Sequence, residues 1–506
     1  MLRKLGFLQR PWHASVLAIA FLCLHTAVWT VYASLSNDGA LHQDMVEAYS
    51  WGREFQLGYY KHPPFWAWIA GAWFEVFPRT NWAFYLLANL NAGIAVLGVW
   101  QLVGLFTKGS QRLNATLLIL LIPFYTVQGH QYNANFIQVS LWPWTVYFFV
   151  LSMEKQRLRD AIMFGVLAAA GMLSKYYSAL LLISCFGASF FHPHWRQYYR
   201  SPLPYVSVAV ATLLFAPHLW WLIQNDFLPF KYAEAKTAYS AARTYGSVAT
   251  FILGCAGFNF LGVALILLSR RKSPQGPDGP EAAPVAPNYA RFVAILALAP
   301  FVLTLLAALI GHMRLSTNFA SPIFFLVPLL LIETLRPPPV ALRRLAAGTV
   351  ATLYAGAFLA APVLPYVLND LTHRQSKRAN EVAREAMRMW AGVTGRPLRI
   401  VAGSEMYANG TSFYSGQDTS AFLDFDPRHS PWITPASLAE EGFLGFCDED
   451  DETCHKRAAE FGGPQMQVGH ILSAGKPLKP VSLRIFIRPP RRQDAAADNG
   501  ADVASK

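Results

Sequence analysis

The chain has 506 residues, 54% of them hydrophobic and only 14% charged, with a formal net charge of +12. Soluble proteins carry about a quarter charged residues, so this composition excludes an ordinary soluble enzyme and indicates an integral membrane protein. The positive charge falls mostly in short loops between apolar runs, where it sets orientation, and nucleic acid is set aside as a partner.

The first apolar run, Ser15 to Ser34, follows Arg3, Lys4 and Arg10. It is long and lacks an obvious small-residue cleavage site, so a retained span is favoured over a removed signal. Further runs of about 20 residues predict about eleven spans in all. These are 15–34, 82–106, 115–130, 135–152, 161–174, 177–192, 203–222, 247–269, 291–311, 317–335 and 346–368.

Loop charges orient them. Lys108 and Arg112, then Lys155, Arg157 and Arg159, then Arg196 and Arg200, then Arg270, Arg271 and Lys272, then Arg336, Arg343 and Arg344 fall on one side, with the N-terminus. Positive-inside bias makes that side the cytoplasm and puts the alternate loops and the tail outside. Phe65 to Phe77 is apolar and Trp-rich, but at 1.5 Å per residue it reaches only about 20 Å. It reads as a helix lying at the outer interface.

The Pro-rich stretches 273–287 and 337–339 read as cytoplasmic linkers. Beyond Asn369 the pattern changes. A helical stretch at 381–390, strands at 399–402, 421–425 and 482–487, and a capped helix start at Thr434-Pro435 predict a small α/β domain. The expected organisation is a polytopic α-helical membrane domain at 1–368, an extracytoplasmic α/β domain at 369–490 and a disordered tail at 491–506.

Cys23, Cys185 and Cys255 lie in apolar runs and read as packing residues. Cys447 and Cys454 flank an acidic run and could pair in an oxidising compartment, a question that spacing alone leaves open.

The outer segment from Asp44 to Pro64 concentrates the chemistry. Asp44 opens a helical stretch bearing Glu47, Arg53 and Glu54; it is either an N-cap or a general base. Lys61-His62 precedes two prolines that stiffen the backbone, and a rigid cationic pair suits a phosphate or lipid headgroups. Tyr59 and Tyr60 are interface aromatics or sugar-stacking platforms. Lys175 lies between two short apolar runs and either snorkels or faces a polar cavity. His130, Gln131, Asn133 and Asn135 form a polar turn, and His312 and Arg314 another, where the Arg314 fork would match phosphate oxygens. There is no Gly-rich phosphate loop and no zinc-spaced Cys/His set, which disfavours nucleotide-driven transport.

The run Asp44 to Pro64, ending Leu-Gly-Tyr-Tyr-Lys-His-Pro-Pro, resembles the first outer loop of GT-C glycosyltransferases related to protein O-mannosyltransferases and the lipid A aminoarabinose transferase. Gly171-Met-Leu-Ser-Lys-Tyr, Pro217-His-Leu-Trp-Trp with Asn225-Asp-Phe-Leu-Pro-Phe, Arg314 to Pro322, Phe413-Tyr414 and Ser430-Pro-Trp432 resemble later segments of that family. Three positions differ. Met45 stands where the family often has Glu, Lys61 where it has Asp, and Asn133-Ala-Asn135 where a Pro-Asp segment is common.

The resemblance implies a sugar donor on a polyprenyl phosphate and an acceptor hydroxyl or phosphate in an envelope glycolipid, glycan or protein. The reaction would occur at the periplasmic face of a bacterial inner membrane. It implies Asp44 as the base of an inverting transfer and Lys61, Lys175 and Arg314 as holders of the departing phosphate. Glu47, Tyr59, Tyr60, His62, His130 and Asn133 are then the substrate-binding candidates. No cofactor is assigned by the resemblance, and use of a divalent metal stays open. A lipid-linked-sugar flippase and a non-catalytic binder of such a lipid are the competing readings.

Overall fold

Apolar runs punctuated by proline and basic loops produce a chain of helices, followed by a short mixed sheet. The computed structural model describes residues 11–37, 39–237, 240–272, 285–364, 378–462, 466–473 and 481–491. The basic tip at Arg3, Lys4 and Arg10, most of the 273–287 linker, the start of the tail at 369 and the final residues from 492 lie outside them. The chain divides into two compact units: Met1–Ser36 with Gln56–Trp66 and Trp82–Leu364, and Asn37–Phe55 with Ala67–Asn81 and Pro365–Lys506.

The first unit is helical. Its elements are α1 (Pro11–Ser36), α4 (Asn81–Val103), α5 (Gly109–Ile119), α6 (Gln138–Lys155), α7 (Leu158–Ser174), α8 (Ser178–Ser189), α9 (Trp195–Arg200), α10 (Leu203–Gln224), α11 (Leu228–Thr237), α12 (Ala241–Lys272), α13 (Pro287–Ile310), α14 (Val327–Leu335) and α15 (Pro339–Ala360). Val96, Leu118, Phe124, Trp142, Phe292 and Leu329 belong to its buried apolar core. Leu213, Leu253 and Ile310 instead stand exposed, as side chains facing hydrocarbon do.

Among the described residues, six segments are long and apolar enough to cross a bilayer: Val16–Ser36, Asn81–Val103, Leu203–Gln224, Ala241–Arg271, Pro287–Ile310 and Thr317–Leu335. This is fewer than the eleven expected, for local reasons. The 115–130 run is not one helix: α5 stops at Ile119, and turns lead into a single 3-10 turn at Pro123–Tyr125, where proline offers no backbone N–H. α6, α7 and α8 have 18, 17 and 12 residues. α15 carries Arg343 and Arg344 near its start. The 317–335 segment, one of the six, opens with 3-10 turns at Thr317–Ala320 and Ile323–Leu326 before α14.

The second unit holds α2 (Gln43–Gly52), most of α3 (Phe65–Val76), four further helices and a five-stranded sheet. The helices are α16 (Ala379–Val393), α17 (Glu405–Tyr414), α18 (Pro435–Glu441) and α19 (Glu452–Gly462). The strands are β1 (Ile400–Gly403), β2 (Ser420–Leu423), β3 (Phe443–Asp448), β4 (Gln467–Ser473) and β5 (Val481–Arg488), in the order β2-β1-β3-β5-β4. β1 runs parallel to β2 and β3, and β5 antiparallel to β3 and β4. Thr434 closes a capping box with Ser437 at the start of α18. Cys447 and Cys454 are disulfide-bonded, with Cα atoms 5.7 Å apart.

The expected boundary at 369 does not describe this unit, because most of the 37–81 segment folds with the C-terminal residues. Arg79 donates to the Gln417 carbonyl (2.6 Å), Glu54 accepts from the Ser420 hydroxyl (2.7 Å), and the Leu41 N–H reaches the Tyr414 hydroxyl (2.7 Å). α2 and α3 cross at glycines: a Cβ on Gly52 would lie 2.1 Å from the Ala67 carbonyl oxygen and 2.5 Å from the Gly71 nitrogen.

Candidate active site

The helical unit gathers its cations around the loop that leads into α3. The Tyr59 N–H bonds the His62 carbonyl (3.1 Å), closing a turn that Pro63 and Pro64 then stiffen. Gly58 lets this loop lie against α10, since a Cβ there would meet the Trp221 ring at 2.3 Å. His218 of α10 fixes the same loop through Nδ1, which donates to the Leu57 carbonyl at 2.7 Å. Its Nε2 is then the acceptor, and the Tyr176 hydroxyl donates to it at 2.8 Å. The 57–62 loop is thereby tied to the turn that carries Lys175.

That turn exists because α7 ends at Ser174 and Lys175 takes an extended conformation. Gln138 of α6 holds the break: its Nε2 donates to the Gly171 carbonyl (3.0 Å) and its Oε1 accepts from the Ser178 hydroxyl (2.6 Å). Lys175 is directed by two contacts. Its Nζ donates to Asn135 Oδ1 (2.5 Å) and lies 4.4 Å from the centroid of the Phe319 ring. The Tyr177 hydroxyl donates to the Phe319 carbonyl (3.1 Å) and so fixes that platform.

Lys61 and Lys175 both act on His62. Burial first, then the charges of Lys175 and Lys61, hold the His62 imidazole well below the ordinary histidine range. Near neutral pH the site therefore holds two ammonium groups beside a neutral imidazole, which is an arrangement for an anion. Its border is aromatic: Lys61 Nζ lies 5.2 Å from the Tyr60 centroid and 5.8 Å from that of Tyr232, and Tyr176 stacks on Phe230 at 4.8 Å. Tyr59 and Tyr60 are buried. The Tyr59 hydroxyl accepts the Gln56 N–H (3.2 Å), and Tyr60 meets Tyr232 edge-on.

The polar turn before α6 supplies one contact that its sequence did not single out. Asn133 is buried, and its Oδ1 accepts the N–H groups of Asn135 (2.8 Å) and Phe136 (3.0 Å). It shapes the turn, and Asn135 makes the contact to Lys175. The available signal was the spacing, two residues apart in one polar turn. His130 Nδ1 bonds the Val127 carbonyl (2.9 Å), and its ring meets Tyr85 edge-on. Arg314 stands exposed after α13 and is not among the cations acting on His62.

In the α/β unit, Asp44 lies in the first turn of α2, and the N-cap is His42, whose side chain accepts the Asp44 N–H (3.2 Å). The Asp44 carboxylate is more than one-third exposed and 3.7 Å from His42 Nδ1. The N-cap of α2 is thus His42 and not Asp44. Glu47, one turn on, is buried. Neither belongs to a group of three metal-ligating side chains among the described residues, and Met45 stands where the resemblance would have a carboxylate.

Residues 61–221 match the family model of dolichyl-phosphate-mannose-protein mannosyltransferase, a stretch that contains Lys61, His62, Asn135, Lys175 and His218. The chain is 25% identical over 260 residues to the lipopolysaccharide core galacturonosyltransferase RgtB of Rhizobium johnstonii, an alignment covering 49% of this chain and 51% of that protein. The chain thus spans about half the length of this curated relative. Crystal structures of ArnT from Cupriavidus metallidurans, bound to undecaprenyl phosphate and in the apo state, superpose with a TM-score of 0.61. They cover 94% of this chain and 98% of ArnT at 15% and 14% identity. In its fold the chain is similar to ArnT, and in sequence it is similar to membrane glycosyltransferases of the GT-C type.

Proposed function

We propose that this protein transfers a glycosyl group from a polyprenyl-phosphate carrier to an acceptor in the cell envelope, at the periplasmic face of the inner membrane. The observation that carries the reading is that His218 and Tyr176 tie the loop bearing Lys61 and His62 to the turn bearing Lys175, each lysine lying beside an aromatic ring. A phosphate that becomes the leaving group gains negative charge as the glycosidic bond breaks. Preorganised ammonium groups stabilise that charge more than the ground state, which is what lowers a barrier. Arg314 is a further cation for the carrier, and Tyr60 and Tyr232 border its path.

Asp44 acts as general base. It takes the proton from the acceptor hydroxyl as that oxygen attacks the sugar carbon opposite the departing phosphate, giving inversion. A carboxylate more than one-third exposed in the first turn of α2 supports this role. The disulfide Cys447–Cys454 supports an oxidising compartment for the α/β unit. Similarity to a core galacturonosyltransferase favours a lipopolysaccharide-type glycolipid as acceptor over a protein.

The test is mass spectrometry of envelope glycolipids and glycoproteins from a deletion strain complemented with wild type or Asp44→Asn. A sugar missing in the deletion and restored by wild type alone supports both the reaction and the base. Restoration by Asp44→Asn rejects the base. An unchanged glycan profile with altered lipid-linked sugar pools rejects transfer in favour of a flippase or a carrier-binding protein.

A further inference from the structure

Three side chains outside the proposed active site form a group with the chemistry of metal ligands. Glu154 lies in the last turn of α6, and His192 and His194 lie in the turn between α8 and α9. One donor atom from each lies within 4.8 Å of the other two.

His192 is buried at 1% exposure, edge-on to the rings of Tyr289 (5.3 Å) and Phe292 (4.9 Å). Its Nε2 lies 2.9 Å from Glu154 Oε1, so the imidazole and the carboxylate already present neighbouring donor atoms. The Tyr289 hydroxyl donates to Glu154 Oε1 and holds the carboxylate in place. His194 is exposed and open to solvent.

We propose that Glu154, His192 and His194 bind a divalent transition-metal ion, zinc in the first place, that ties the end of α6 to the α8–α9 turn. Two imidazoles and a carboxylate form a zinc-type donor set with a fourth position left for water. Tetrahedral zinc with bonds of about 2.1 Å separates two ligand atoms by about 3.4 Å, so His192 Nε2 and Glu154 Oε1, now 2.9 Å apart, would part by about 0.5 Å on loading. The exposed His194 side chain turns inward to complete the set. The Tyr289 hydroxyl orients the carboxylate, as outer partners of metal ligands commonly do.

One bond changes on loading. The His194 N–H reaches His192 Nδ1 at 3.2 Å, which keeps the ring proton on Nε2. The metal takes the Nε2 position, the proton moves to Nδ1 through solvent, and this long contact is released.

The experiment uses the tag-free full chain in detergent, stripped with EDTA and titrated with zinc. Bound metal is counted by mass spectrometry after desalting, cobalt absorption reports coordination, and the His192 tautomer is read by nitrogen NMR. The expected result is about one zinc per chain, a proton shift from Nε2 to Nδ1, and loss of binding in His194→Ala and Glu154→Gln. Tyr289→Phe should weaken binding about tenfold. His194→Ala alters an exposed side chain, and its melting without zinc should equal wild type, which separates metal loss from misfolding. No retained zinc on wild type, or unchanged affinity in a normally folded His194→Ala protein, overturns the proposal.

Discussion

Replacing Lys175 by glutamine removes one of the two charges acting on His62 while keeping a donor for Asn135. In the surface-like regime, an ammonium about 4 Å from a phosphate gains about 4 kcal/mol. Lys175 is half-buried, so solvent screens part of this, and one of its three donors is already used by Asn135. A charge-assisted hydrogen bond contributes about 1.5–3 kcal/mol net, and that smaller range applies here. The carrier should bind Lys175→Gln about 10- to 150-fold more weakly, and Lys175→Arg should recover part of the loss. The assay is binding of a polyprenyl phosphate to the full chain in nanodiscs at fixed ionic strength. A second readout does not depend on the carrier: removing the charge should raise the His62 pKa, read by NMR of the ring. Equal affinity in Lys175→Gln and wild type would refute the phosphate assignment, and an unmoved His62 would refute the electrostatic reasoning.

Other outcomes follow from the same geometry. Because His62 is held neutral, a bound phosphate should raise its pKa and draw in a proton, so carrier affinity should increase as pH falls below neutrality, and a His62→Gln protein should lose that slope. Gly52→Ala forces a side chain into the α2–α3 crossing and should destabilise the α/β unit by about 1–3 kcal/mol, seen as a lower melting temperature. Asp426 is held down to about 2, chiefly by hydrogen bonds from the Arg428 side chain. Its stabilisation is complete above its ordinary value of 3.8 and is lost as pH falls from there through about 2, and Asp426→Asn should flatten melting temperature across that window. The Cys447→Ala/Cys454→Ala protein should lose about 2 kcal/mol, and reductant should bring wild type down towards it while leaving the variant unmoved.

The membrane class, the likeness to GT-C glycosyltransferases and much of the tail are legible in the sequence. Long apolar runs and basic loops have few physical solutions in a bilayer, and the 44–64 segment carries the family's spacing. Strand residues 399–402, 421–425 and 482–487 alternate or cluster apolar side chains, and they became β1, β2 and β5. β3 was missed: Phe-Leu-Gly-Phe-Cys-Asp is short and contains glycine, and it is central because both β1 and β5 pair with it. α17 was missed because it is mixed in composition and buried almost throughout, so it has no amphipathic stripe to read.

Composition and local pattern determined what kind of solvent each segment must face, because burial free energy depends on the side chains of that segment alone. Only the tertiary structure decided which polar groups meet. Asn135 reaches Lys175 across 40 residues and His218 reaches Leu57 across 161, while Asn133, equally polar, is used to shape a turn. Likewise the 37–81 segment reads as part of the membrane domain, yet most of it packs with residues more than 300 positions later. Such pairings depend on the path of the whole backbone, and no local propensity encodes that path.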